Sequence, residues 1–76
     1  PFNPKTSINF YLNSQSNILL NIFNMNGELV KNLINKKMHS GNHSIDWDAT
    51  GNSSGMYFAV LESGGKSKTR KILFIK

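Results

Sequence analysis

The chain has 76 residues, with nine lysines and arginines against four acids, two histidines, no cysteine and a formal charge of +5. That length holds one domain at most, and such a domain buries only about 60% of the surface its unfolded chain exposes. Without cysteine it has no disulfide staple, no thiol nucleophile and no cysteine-rich zinc site, so a packed core must hold it together. No charged-then-apolar leader opens it, and its longest apolar run, Ile72-Leu73-Phe74-Ile75, is far too short to cross a bilayer.

Short apolar stretches alternate with Asn/Ser/Gly clusters about every ten residues, the rhythm of an all-β sandwich or barrel. Residues 7–12 alternate, with Ile8, Phe10 and Leu12 on one face, and Pro1 and Pro4 keep the approach extended. A polar turn at 13–17 precedes a second strand at 18–24, which turns Ile18, Leu20 and Ile22 to one side. Asn26-Gly27 predicts a type I′ hairpin turn, with positive φ at both central residues. The returning strand covers 28–34, with Leu29, Val30 and Leu33; a helix over 29–34 would lack both length and caps.

A polar connection at 35–42, containing Lys36, Lys37 and Gly41, leads to a strand at 43–48 with His43, Ile45 and Trp47 on one face. After a Gly/Ser/Asn loop at 50–55, the strand at 56–62 is apolar on both faces, as expected of a central position in a sandwich. Gly64-Gly65 marks a tight turn into a last strand at 67–75. The expected fold is an immunoglobulin-like antiparallel β-sandwich of six to seven strands forming a single domain.

The residues offer little chemistry. Asp46 and Asp48 share a strand face, but that face reads as solvated, and Asp48 introduces a turn in which its side chain can bond nearby backbone. Calcium at Asp48, Asn52 and Ser53 would want more carboxylates. His39 and His43 stand i, i+4, a spacing that joins ligands on a helix, whereas here it falls on a loop entering a strand. Gly64-Gly65-Lys66-Ser67 lacks the spacing and the helix of a phosphate loop. Trp47, Tyr57 and Tyr11 could form a sugar platform, yet a Trp on a central sandwich strand belongs to the core. No catalytic residue, metal or cofactor is expected.

Charge singles out the end of the chain. In residues 1–63, Lys5, Lys31, Lys36 and Lys37 cancel Glu28, Asp46, Asp48 and Glu62, while Lys66, Lys68, Arg70, Lys71 and Lys76 carry the whole excess. Nucleic acid is one partner such a strand could suit, but the aromatics elsewhere fall at core-facing positions and no nucleic acid is expected. A terminal strand that is apolar on both faces needs cover from its own chain or from a partner.

Taken in order, several segments resemble a known family. Pro1-Phe2-Asn3-Pro4-x-Thr6-x-Ile8-x-Phe10 is similar to the opening of type IX secretion C-terminal sorting domains. Leu20-x-Ile22-x-Asn24-x-x-Gly27, Val30-x-x-Leu33, Gly41-x-His43-x-x-x-Trp47-Asp48, Ser54-Gly55-x-Tyr57-Phe58 and Thr69-x-Lys71-x-Leu73-x-x-Lys76 continue the likeness. The immunoglobulin-like domain of the flagellar hook-capping protein shares the Gly-x-His-x-x-x-Trp-Asp and Ser-Gly-x-Tyr segments. Ala49 departs from the glycine that often follows Trp-Asp, which concerns turn geometry.

The resemblance implies a non-catalytic domain at the end of a larger secreted protein of Bacteroidetes-like bacteria. It would be recognised by an outer-membrane translocon after a periplasmic step, then removed upstream of Pro1 by a cell-surface sortase of the cysteine-peptidase type. The partners implied are translocon components, the sortase and an upstream cargo domain, with no transmembrane segment. Lys71, Leu73, Ile75 and Lys76 are the expected recognition elements, and Gly27, Gly41, Trp47, Asp48, Gly55 and Tyr57 define the fold. Leu73 and Ile75 could equally complete the core, and since a strand has two faces both readings can hold. An accessory spacer or carbohydrate-binding module of an extracellular enzyme, or a hook-cap-type structural domain, is the alternative.

Overall fold

The structure, a computed structural model, describes residues 4–75. Six strands follow one another: β1 (Lys5–Leu12), β2 (Ser16–Phe23), β3 (Leu29–Met38), β4 (Gly41–Asp48), β5 (Gly55–Ser63) and β6 (Lys66–Phe74), with no helix among the described residues. They form two antiparallel sheets. One pairs β1 with β4; the other runs in the order β3-β2-β5-β6. The expected all-β sandwich is therefore present, with β5 in the middle of its sheet and β6 at an edge.

Alternation builds the core. Ile8 and Leu12 of β1 and Trp47 of β4 face Ile18, Leu20 and Ile22 of β2, Ile34 of β3, Tyr57 and Ala59 of β5, and Phe74 of β6. Leu20 and Ile22 are wholly sequestered from solvent. Trp47 meets Tyr57 edge-on with ring centroids 5.1 Å apart, and the Tyr57 hydroxyl donates to the Ser53 carbonyl at 2.6 Å. A buried Trp beside a Tyr that ties back to backbone a few residues upstream is a feature of immunoglobulin-like sandwiches.

The turns correct two expectations. Gly27 has φ 80°, but no residue other than glycine adopts positive φ among the described residues, so Asn26 does not form the left-handed half of a type I′ turn. Instead the Gly27 amide donates to the Asn24 carbonyl and the Asn24 amide to the Glu28 carbonyl, both at 3.0 Å. That is a type I turn closed by a left-handed glycine. The Asn24 side chain decides it: its Oδ1 accepts from the amides of Asn26 and Glu28, and its Nδ2 donates to Glu28 Oε1. The two-residue left-handed turn occurs instead at Gly64 (φ 56°) and Gly65 (φ 81°), joining the paired residues Ser63 and Lys66.

The expected polar connection over 35–42 is mostly strand. β3 continues to Met38, pairing Leu19 with Asn35 and Ser16 with Met38, so only two residues separate it from β4. Its polar side chains masked this because β3 is an edge strand, whose outer flank needs no apolar cover. Two register shifts leave Val30 and Leu33 as extra residues opposite β2, twisting this edge as bulges do.

Candidate recognition surface

Strand β6 is divided along its length as well as between its faces. Residues directly opposite on paired strands share a face. Tyr57 stands opposite Ile72 and Met56 opposite Leu73, so Ile72 and Phe74 point inward with Tyr57 while Leu73 points outward with Met56. Phe74 is accordingly 6% exposed, whereas Leu73 is 63% and Ile75 57% exposed. The core-completing residues are thus Phe74 and the half-buried Ile72, and the alternative that Leu73 and Ile75 fill the core does not hold. Lys71 is exposed on the outer face, and Lys76 lies outside the described residues.

The outer face of the four-stranded sheet is unusually apolar around Leu73. Phe23 of β2, Met56, Phe58 and Val60 of β5 are only half-buried there, and Phe23 stands opposite Phe58, which stands opposite Lys71. The central position of β5 explains its pairing on both sides, but a two-layer sandwich leaves its outward side chains without a covering layer. Leu73 extends this apolar surface to the sheet's edge, and Ile75 is exposed just past the end of β6.

The Ser63–Lys66 pair closes a two-residue hairpin, and antiparallel pairs alternate between bonded and non-bonded. Lys66, Lys68, Arg70 and Ile72 therefore turn their backbone groups to β5, and Ser67, Thr69, Lys71 and Leu73 turn theirs off the free edge. Lys71 and Leu73 consequently offer both an outward side chain and edge backbone. Their sequence also matches the Secretion system C-terminal sorting domain, as does the entire chain, residues 1–76. The chain belongs to that family. No curated protein and no solved structure gives a significant match.

The sorting domain is a signal of the type IX secretion system, carried by a cargo protein and recognised by the secretion machinery for export to the cell surface or beyond. Its family is in general non-catalytic. No helix among the described residues is long and apolar enough to cross a membrane.

The other candidate residues of the sorting domain serve its turns and core. Gly41 and Gly55 open β4 and β5, and Ala49 is buried with its amide bonded to the Pro4 carbonyl. Trp47 and Tyr57 are buried while Tyr11 is 63% exposed, so the three make no common sugar platform. His39 and His43 do approach each other, with ring centroids 5.7 Å apart, because the connection between β3 and β4 is so short. That contact was not legible when 35–42 read as a long loop. The His43 Nε2 is engaged by the His39 carbonyl at 2.7 Å and its ring stacks on Phe10, and no cluster of three metal-ligating side chains occurs among the described residues.

Asp46 accepts from Ser7 Oγ, and Asp48 organises the following turn. The Thr50 hydroxyl (2.6 Å) and the Thr50 amide (2.9 Å) both donate to Asp48 Oδ1. These bonds, the hydroxyl's first, hold the carboxyl below its ordinary value of 3.8 against an opposing desolvation effect, with a lesser contribution from the charge of Lys5. A depressed carboxylate stabilises the fold above its ordinary value, and the contribution is lost as pH falls through the folded value. Thr50→Val, which removes the hydroxyl, is expected to raise the Asp48 midpoint in a carboxyl-detected NMR titration. An unchanged midpoint would mean that the turn does not set it.

Sequence reasoning missed one feature. Parity along β6 puts Lys66, Lys68 and Arg70 on the same inward face as Ile72 and Phe74, and Arg70 Nη2 donates to the Asn9 carbonyl of β1 at 3.3 Å. The signal was present in the even spacing of 66, 68, 70, 72 and 74, but the charges read as an interaction end of the chain with no face assigned to them.

Proposed function

We propose that the outward residues at the end of β6, together with the residues that follow it in the chain, are the export address of the sorting domain, with Lys71, Leu73, Ile75 and Lys76 read by the translocon. The observation that carries this reading is the exposure of Leu73 and Ile75 beside the buried Phe74: the core claims only one face of the strand. Edge strands offer unpaired backbone for strand addition, alternate side chains add specificity, and Lys71 would speed encounter with an acidic receptor surface. Lys76 joins this set on sequence alone.

On this reading the chain is a single domain of a larger secreted protein and a substrate of the secretion reaction, contributing no catalytic residue. The cargo crosses the periplasm to the outer-membrane translocon, and a cell-surface sortase of the cysteine-peptidase type then removes the domain. The test is a fusion of residues 1–76 behind a signal peptide and a fluorescent cargo, expressed in a host with a type IX system. Export of the cargo to the surface or medium is expected. An intact fusion held in the periplasm would overturn the proposal.

A further inference from the structure

The two sheets differ in width. Four strands make one layer and two make the other, so the narrow sheet leaves part of the wide sheet's inner face without a strand above it. Along the flank where β1 faces β6, this opens a groove of about 690 Å³, within the roughly 300–1,000 Å³ typical of ligand clefts. Its apolar floor includes Leu20, Ala59 and Leu61. One wall carries Lys66, Lys68 and Arg70, and no Asp or Glu lines it.

The opposite wall is a strand edge. The Pro4 carbonyl accepts from Ala49 beyond the end of β4, and the Asn9 carbonyl points the other way, to Arg70. In an antiparallel strand successive residues turn their amide and carbonyl groups to opposite sides. The even-numbered residues of β1 therefore bond β4, and Ser7, Asn9 and Tyr11 direct their backbone groups into the flank. Among the described residues β4 is the only ladder partner of β1. Arg70 already satisfies one of the edge carbonyls.

We propose that this flank is a peptide-binding groove that takes one extended acidic segment of a partner protein, laddered along β1 with alternate carboxylates against Lys66, Lys68 and Arg70. A strand beside β1 would widen the two-stranded sheet to three and lie over the inner face of β5 and β6. Its inward side chains would repeat about every 6.7 Å, the same spacing as alternate residues on β6. The three cations would then meet Asp or Glu at every second position, while the residues between face outward. A polyanion without a peptide backbone would satisfy the cations but leave the β1 amides unpaired, which is why the charge pattern and the edge together select a polypeptide. This site uses the inner half of β6 and does not depend on the export address.

The probe is an acetylated eight-residue peptide alternating Glu and Val, matched in length to β1. Its control has the same composition with the glutamates in one block. Saturable one-to-one binding by calorimetry is expected, with NMR shift changes at the amides of Ser7, Asn9 and Tyr11. The double variant Lys66→Glu/Lys68→Glu should weaken it by about tenfold or more while keeping the wild-type melting curve, since both side chains are exposed. N-methylation of alternate peptide amides should abolish it. The proposal is overturned if the blocked peptide binds as well, since that reports diffuse charge alone, or if no saturation is reached. Shift changes confined to Thr69, Lys71 and Leu73, or a sorting domain whose groove is filled by self-association, would overturn it too.

Discussion

Replacing Trp47 with Ala is expected to unfold most of the sorting domain at room temperature. The indole is 2% exposed, sits where the narrow sheet meets the wide one, and touches the Tyr57 ring edge-on. Truncating a buried aromatic of this size costs about 3–5 kcal/mol through lost transfer energy and the cavity left behind. A 76-residue domain with no disulfide has a total stability of about the same size. Circular dichroism and a denaturant titration decide it. Tyr57→Phe is the graded companion: it keeps the ring contact and removes only the hydroxyl bond to the Ser53 carbonyl, a loss of about 1 kcal/mol. A wild-type melt for Trp47→Ala would show that the indole is dispensable to the core.

Leu73→Ser/Ile75→Ser is expected to leave the fold intact and stop export. Both side chains are more than half exposed, and surface substitutions away from special features change stability by about 0.5 kcal/mol or less. Phe74→Ala, one residue away on the opposite face, should do the reverse in isolation, destabilising the domain by about 3–5 kcal/mol. Melting of the purified variants and cargo export in the host separate the two faces of one strand. Deleting residues 72–76 would not, because it removes the core residue Phe74 together with the address. If Leu73→Ser/Ile75→Ser exports its cargo normally, recognition lies elsewhere on the domain.

These two predictions rest on different kinds of legibility. Trp47 could be placed from its neighbours, because His43, Ile45 and Trp47 alternate with Ser44, Asp46 and Asp48 and only one such face is apolar. The faces of β6 could not be assigned that way, since Ile72 through Ile75 are all apolar and periodicity carries no information in such a run. Register against β5 was needed to show that Phe74 goes in and Leu73 goes out. The Asn26-Gly27 turn failed for a related reason: the dipeptide favours a type I′ turn, but the Asn24 side chain supplies a competing set of hydrogen bonds two and four residues on. Local rules rank conformations, and a third residue can reverse the ranking.

From the sequence alone came the all-β class, the turn at Gly64-Gly65, most of the core, the basic end and the likeness to the sorting-domain family. These depend on alternation, composition and local backbone freedom, which are properties of neighbours along the chain. Only the tertiary structure decided that β3 runs through its polar stretch, that His39 meets His43, and that one sheet is twice as wide as the other. The same holds for the groove between β1 and β6, whose walls lie some sixty residues apart and are joined by Arg70 and Asn9. Sheet order and register are set by pairing between distant segments, and the division of β6 into a core face, an outward face and a cationic flank follows from that pairing.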